Sequence, residues 1–316
     1  MTRGRPVRGL ALSRLGFGGA PIGNLFRAVA ADEAIRTVDA AWAGGVRYFD
    51  TAPHYGLGLS EQRLGRALQA RPRDEFVLST KVGRLLEPNP VPSGSDLAVG
   101  GFAVPDAYRR RFDFSRDGVY RGLESSLARL GTDRIDIVYV HDPDGHVDEA
   151  ISAAIPALAE LRSQGVIGAV GVGMNQWPAA LRIVREADLD VVMLAGRWTL
   201  LDRSGEPLLS ECAQRGIRVV AAAPFNSGLL ARDRPPADAT FDYNPASEDM
   251  QARAVALADV CARHGVSLPA AALQFPLRAD AVSSVVCGLR SVGEVQAALT
   301  NVAVDIPAGA WAELDA

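Results

Sequence analysis

Residues 45–56 read Gly-Val-Arg-Tyr-Phe-Asp-Thr-Ala-Pro-His-Tyr-Gly. The pair Gly44-Gly45 stops a preceding helix, 46–50 is a short strand-forming run, and the run ends on Asp50 before a turn carrying His54 and Tyr55. Seven further runs of this kind are expected as strands, at 15–19, 76–81, 135–141, 167–173, 190–195, 217–223 and 284–288. Most are almost continuously apolar, as in Ile137-Val138-Tyr139-Val140 and Val219-Val220-Ala221-Ala222. That is the pattern of parallel strands covered on both faces. Helical patterns begin near Asp32, Ser60, Ser115, Asp148, Trp177, Glu206, Glu248 and Ser291. Asp32, Ser60 and Ser115 read as N-caps and Pro178 as a first-turn residue, with stops at Gly44-Gly45, Gly65, Gly165 and Gly216.

Eight strand-then-helix units predict an α/β fold, a closed (β/α)8 TIM barrel in one domain over 1–316. A doubly wound sheet is the rival, but Gly16/Gly18, Gly56/Gly58 and Gly171/Gly173 each lack the third glycine of a dinucleotide fingerprint. Long connections follow strands three and seven. The first, 84–114, holds Pro88, Pro90, Pro92, Pro105 and Gly100-Gly101; the second, 231–247, holds Pro235-Pro236 and Asp242-Tyr243-Asn244-Pro245. Loops of that length in a compact fold are usually functional.

Composition excludes several classes. Thirty-three basic against 37 acidic residues give a net charge of −4, far from the basic excess of a nucleic-acid binder. No apolar run reaches the ~18 residues of a membrane span, and the basic start Met1-Thr2-Arg3-Gly4-Arg5 leads into no secretory segment. Cys212, Cys261 and Cys287 are odd in number and far apart, so reduced thiols in a cytoplasmic protein are expected. Oligomeric state leaves no signature.

On a barrel, side chains at C-terminal strand ends form the active site. There the chain places Asp50, Tyr55, Lys81 and, ending strand four, His141. A phenol titrates near ~10. A neighbouring ammonium would lower that value, a carboxylate would hold the ammonium, and a histidine could orient a substrate oxygen. Singly, Asp50 could be a turn residue, Lys81 a surface lysine, Tyr55 a loop aromatic and His141 a core histidine. A metal site on His141-Asp142-Pro143-Asp144-Gly145-His146 is disfavoured, with His146 expected in a solvated turn; no metal is expected.

Residues 45–56, with Leu78-Ser79-Thr80-Lys81 and Tyr139-Val140-His141, resemble the aldo-keto reductase signature segments, and the likeness runs along essentially the whole chain. The resemblance implies a metal-free TIM barrel with an extended nicotinamide cofactor across the strand ends. It makes Tyr55 the proton donor or acceptor, tuned by Lys81 and Asp50, with His141 orienting the carbonyl or hydroxyl. It assigns Asn175 to the carboxamide; Pro224, Phe225, Asn226, Ser227, Gly228 and Leu230 to the pyrophosphate segment; and Gly288, Arg290 and Ser291 to the adenosine-phosphate end, where a helix N-terminus favours anions. Glu294 aligns where NADP-preferring members carry arginine, which implies NAD, with NADP possible through nearby Arg290. The family pattern is departed from at Ala195, Ala222 and Ala297-Ala298, with Trp198 or Phe225 expected to replace a missing stacking aromatic.

Within the family the likeness is to sugar-oxidising members, implying oxidation of an aldose such as L-fucose at C1 to the lactone. Asn24, His54, Phe102, Tyr108 and Trp198 are expected to face the substrate, with Arg111, Phe112 and Asn226 as further candidates. Alternatives are an NADPH-dependent aldehyde or ketone reductase, a pyridoxal 4-dehydrogenase, and a non-catalytic cofactor-sensing subunit.

Overall fold

Strand β1 (Leu15–Gly18) pairs on one side with β2 (Tyr48–Asp50) and on the other with β8 (Val282–Gly288). Between them run β3 (Val77–Val82), β4 (Ile135–His141), β5 (Ile167–Met174), β6 (Val191–Ala195) and β7 (Arg218–Ala222), each parallel to its neighbours. The sheet closes on itself, so the expected (β/α)8 barrel is present in this computed structural model, which describes residues 4–242 and 244–316. Met1–Arg3 and Tyr243, which entered the expectations for the basic start and for the second long connection, lie outside the described residues. Among the described residues no helix is long and apolar enough to cross a membrane.

Two cores follow from the alternation of side chains along each strand. One face of each strand points outward to the helices, burying Phe17, Phe49, Leu78, Val138, Val140 and Leu194. The other face fills the barrel with Tyr48, Val77, Ile137, Tyr139, Met193, Val220 and Val286. Val7 and Leu12 join this inner cluster, and a Val7–Leu10 bridge turns the N-terminal segment beneath the barrel; no periodicity announced it. All three cysteines are buried and unpaired.

The flanking helices include α1 (Ala31–Ala43), α2 (Leu59–Leu68), α3 (Arg116–Leu130), α4 (Ile155–Ser163), α5 (Trp177–Glu186), α6 (Glu206–Arg215), α7 (Glu248–Arg263), α8 (Leu268–Gln274) and α9 (Val292–Ala303). Ser115 caps α3 as expected, accepting from Gly118 N, and Pro178 sits in the first turn of α5. Asp32 and Ser60 are corrections. The N-cap of α1 is Ala30, and Asp32 lies in its first turn. α2 starts after left-handed Gly58, while the Ser60 hydroxyl donates to the Gly19 carbonyl (2.7 Å) and bonds Thr51 Oγ1 (2.8 Å). Gly65 does not stop α2. It lies inside the helix, where a Cβ would come 2.0 Å from the Leu130 carbonyl oxygen, so its bareness lets α2 and α3 approach.

The first long connection is built. Arg84–Pro88 and Tyr108–Phe112 form an antiparallel hairpin. Beyond it a Leu25–Phe102 bridge ties the connection to the loop after β1, with Phe26 N bonded to Gly101 O and Ala103 N to Asn24 O. The second connection carries the short pair Thr240–Phe241 and Asn244–Pro245. Arg197, just past β6, clamps it by a bidentate bond to Asp242 (2.5 and 3.0 Å).

Candidate active site

Barrel tilt sets the geometry. Asp50 is level with Ser79, Lys81 with Tyr139, and His141 with Gly173. Moving from β2 to β3 to β4, the inward residue nearest the mouth therefore advances by two positions per strand, which keeps the same face inward while following the stagger of a closed barrel. Asp50, Lys81 and His141 thus reach one opening as a consequence of register.

Asp50, Lys81 and His141 are buried, and Tyr55 and His54 are half-buried on the loop above β2. Lys81 Nζ donates to Asp50 Oδ2 (2.6 Å) and to the Thr51 carbonyl (2.9 Å), and lies 4.7 Å from the Tyr55 ring centroid. His141 meets the Tyr55 ring edge-on at 5.9 Å. The four residues expected to act together are therefore adjacent. Burial pushes Asp50 up while Lys81 pulls it back. Burial opposes the Lys81 ammonium, but Asp50 and Tyr55 outweigh it and leave its pKa raised.

The expected direction for Tyr55 is corrected. Burial pushes its phenol up to about 12; Lys81 works against that shift, and Asp50 adds to it. His141 is held well below the ordinary imidazole range by burial and then by Arg84, and His54 falls to about 2 through burial, Arg84 and Arg110. Both rings are neutral at working pH, and the Nδ1 atom of each is buried without a partner. Neither arginine was foreseen. Arg84 donates to Asp142 Oδ2 (2.6 Å), which lies 3.5 Å from His141 Nε2; Arg110 pairs bidentately with buried Asp96 (2.6 Å to each oxygen) and donates to the His54 carbonyl. The hairpin delivers them, so only its register could have revealed them.

The substrate-facing candidates divide. Phe102 is buried with its ring 5.3 Å from His54 and 6.1 Å from Tyr55, and His54 stands 5.7 Å from His141; these residues wall the mouth. Asn24 is a turn residue instead. Its Oδ1 accepts from Val29 N and Arg63, and its Nδ2 donates to the Ala103 carbonyl, so three of its hydrogen bonds serve the loop. Trp198 packs on Phe275 (5.4 Å), with Nε1 buried and unpartnered. Tyr108 is exposed on the hairpin, Phe112 stacks on Phe114, and Arg111 is paired to Glu87 and Asp113. His146 is not in a purely solvated turn, since its ring lies 5.1 Å from Phe114 and 5.6 Å from Phe112.

The residues assigned to a dinucleotide lie along the same strand ends, and they fit one. Asn175 directly follows β5. After β7, three non-glycine residues adopt left-handed backbone, Ala223 (φ 54°), Asn226 (φ 46°) and Ser227 (φ 59°), followed by Gly228 at 99°. Such strain concentrates at ligand loops. Asn226 donates to the Gly196 carbonyl and leaves its Oδ1 buried without a partner, whereas the Leu230 side chain is core. Pro224 is buried and Phe225 half-buried. Gly288 is exposed at the end of β8, and Ser291 caps α9, accepting from Glu294 N (3.3 Å). Glu294 Oε2 accepts from Arg290 N (2.7 Å), and the Arg290 guanidinium donates to the Leu25 carbonyl. The carboxylate at this helix end is exposed and also serves as a cap.

A closed parallel barrel with an Asp–Lys–Tyr–His cluster at its mouth defines a class, and the sequence comparison agrees: residues 14–316 match the aldo/keto reductase family, to which this chain belongs. It is an oxidoreductase, of a family that uses nicotinamide cofactors. The chain is 50% identical to D-threo-aldose 1-dehydrogenase from a Pseudomonas species over 97% of its own length and 94% of the relative's. It is 39% identical to pyridoxal 4-dehydrogenase from Microbacterium luteolum, at the same coverages. An aldo-keto reductase structure from Bacillus halodurans in its holo form superimposes with a TM-score of 0.79 at 26% identity, covering 100% of this chain and 96% of that one.

Proposed function

We propose that the chain oxidises an aldose such as L-fucose at C1 to the lactone, with NAD receiving the hydride. The observation that carries this reading is the Tyr55 ring set against Lys81 Nζ and edge-on to neutral His141, at the mouth where a sugar would enter. The 50% identity to an aldose dehydrogenase supports the substrate class. The bound nicotinamide supplies a hydride acceptor. Tyr55 takes the C1 hydroxyl proton as C1–H leaves as hydride, closing the lactone C=O. Lys81 stabilises the phenolate, Asp50 fixes Lys81, and neutral His141 orients the C1 oxygen. His54 and Phe102 limit water beside the reacting carbon.

With Tyr55 near 12, its base form gains tenfold per pH unit through the alkaline range. Turnover should therefore rise with pH, and a flat profile from about pH 6 to about pH 10 counts against Tyr55 as base. Glu294 supports NAD, because its charge repels a 2′-phosphate where α9 begins. The test is absorbance of reduced nicotinamide with L-fucose at mildly alkaline pH, comparing NAD with NADP. Fast NAD reduction is expected. Silence with sugars but NADPH consumption with aldehydes would instead make the chain a carbonyl reductase. On this reading its ligands are a sugar and a dinucleotide, with no nucleic acid or membrane involved, and its unpaired thiols suit the cytoplasm.

A further inference from the structure

The peptide that joins His54 to Tyr55 is held at both ends. Its N–H, on Tyr55, donates to the Ala52 carbonyl (3.1 Å). Its carbonyl, on His54, accepts from a terminal nitrogen of Arg110 (3.0 Å) and, at 3.5 Å, from Leu57 N. The next residue, Gly56, approaches Gly23 so closely that a Cβ would overlap the Gly23 carbonyl, which seats the underside of this loop. Arg110 holds the side that faces the long connection. It stands on the hairpin opposite Leu86, its side chain is 11% exposed, and that of its partner Asp96 is 3% exposed. Each Asp96 oxygen accepts from one guanidinium nitrogen at 2.6 Å, and bare Gly100 leaves the room, since a Cβ there would overlap both members of the pair. The same guanidinium lies 5.9 Å from the Phe102 ring. Phe102 and Leu86 pack with Leu57 and Tyr55 in a small core separate from those of the barrel. A buried ion pair adds little stability over apolar residues filling the same space. A planar guanidinium can, however, grip a carboxylate with two nitrogens and still aim an N–H at a carbonyl. Geometry is what this pair supplies.

We propose that Arg110, oriented by Asp96, is a positioning residue that fixes the His54–Tyr55 peptide plane and, through it, the place of the Tyr55 hydroxyl beside Lys81. It acts through the backbone, and the catalytic consequence rests on Tyr55 being the proton-transferring group. A swing of about 10° at the Tyr55 Cα carries the hydroxyl about 1 Å, a displacement that costs about 100-fold in rate. The Asp96–Arg110 pair is neutral as a unit. The charges acting on Tyr55 are those of Lys81, Asp50 and Asp142, with Arg84, His54 and His141 beside them at the mouth, and all of these stay in place when the pair is altered.

The test removes the bond while keeping the charge. Arg110→Lys retains a cation for Asp96, but a single ammonium cannot hold the carboxylate and also reach the His54 carbonyl as the guanidinium fork does. With L-fucose and NAD, kcat should fall about 10- to 100-fold and kcat/KM by the same factor, while NAD affinity, followed by fluorescence quenching, holds. Arg110→Met/Asp96→Leu buries no charge. It should lose rate alike with a melting temperature within about 2 °C of the native protein, and it carries the test if the lysine variant fails to fold. A raised KM with kcat unchanged would reduce the pair to a support of the pocket wall and overturn the proposal, as would a native kcat in both variants. A readout without turnover separates the proposal from the reading beneath it. A crystal structure of either variant should show the Tyr55 hydroxyl displaced by about 1 Å, and an undisplaced hydroxyl overturns the positioning role. Retained turnover in Tyr55→Phe overturns the assignment of Tyr55 instead.

Discussion

Replacing Asp50 with asparagine preserves shape but strips a buried ammonium of its counter-charge. The side chains of Lys81 and Asp50 are 2% and 3% exposed and 2.6 Å apart, and Lys81 would retain only neutral acceptors such as the Thr51 carbonyl. Breaking a buried pair from one side costs about 3–5 kcal/mol. For 316 residues, an unfolding entropy of about 2.1 cal/mol/K per residue gives about 0.66 kcal/mol/K, so the melting temperature should fall by about 5–8 °C. The pH dependence fixes the cause. In the native protein the Lys81 pKa is raised, so its contribution is complete below the ordinary lysine value and is lost as pH rises through the raised one. In Asp50→Asn the unpaired ammonium has a lowered pKa, so the deficit should be largest near neutrality and shrink toward about pH 10, where the unfolded lysine also loses its proton. The double variant Asp50→Asn/Lys81→Met buries no charge and should recover most of the stability while staying inactive. Scanning calorimetry at pH 7 and at about pH 10 measures all three proteins. A single variant melting within about 2 °C of the native protein at pH 7, or a double variant no more stable than the single, would refute the reasoning.

Three further outcomes are expected. Arg84→Met removes the cation that depresses both histidines and neutralises Asp142. His141 should rise part of the way, because burial, the larger cause, and Lys81 still depress it; its titration followed by proton NMR should move to higher pH than in the native protein, and an unmoved His141 titration contradicts this. Glu294→Arg replaces repulsion of a 2′-phosphate with a charge-assisted contact, and the NADP-to-NAD ratio of kcat/KM should rise at least about tenfold; a constant ratio would show that α9 does not read the ribose. Gly65→Ala improves helix propensity yet sets a methyl against the Leu130 carbonyl. A loss of about 1–3 kcal/mol is expected, and calorimetry showing stabilisation would mean that α2 and α3 part freely.

The barrel was legible because its strands are apolar on both faces, a pattern that survives without knowledge of their partners. Strand ends at 135–141 were read to the residue, since His141 is followed by a turn. The Asp–Lys–Tyr–His cluster was legible for a related reason: strand ends of a barrel converge, so polar residues there meet. Features that depend on the path of a loop were hidden. Asn24 looked free, but Ala103 and Arg63 approach it and engage its amide in the loop. Arg84 and Arg110 reach the histidines only through the pairing of Arg84 with Phe112 and Leu86 with Arg110. Ser60 resembled a cap, yet left-handed Leu57 and Gly58 start the helix earlier and turn its hydroxyl into the barrel wall. The Tyr55 phenol was expected to fall because its charged neighbours could be named, whereas its burial, which dominates, is a property of the folded mouth.

On the proposed mechanism Tyr55 moves the proton while the fold around it binds the dinucleotide independently. Single-turnover NAD reduction with L-fucose in Tyr55→Phe, alongside NAD binding followed by quenching of protein fluorescence, addresses both parts in one protein. Unchanged NAD affinity is expected, with the reduction rate lowered by about 100- to 10,000-fold, the span of general acid–base catalysis. Reduction at near-native rate with Tyr55 absent would contradict it.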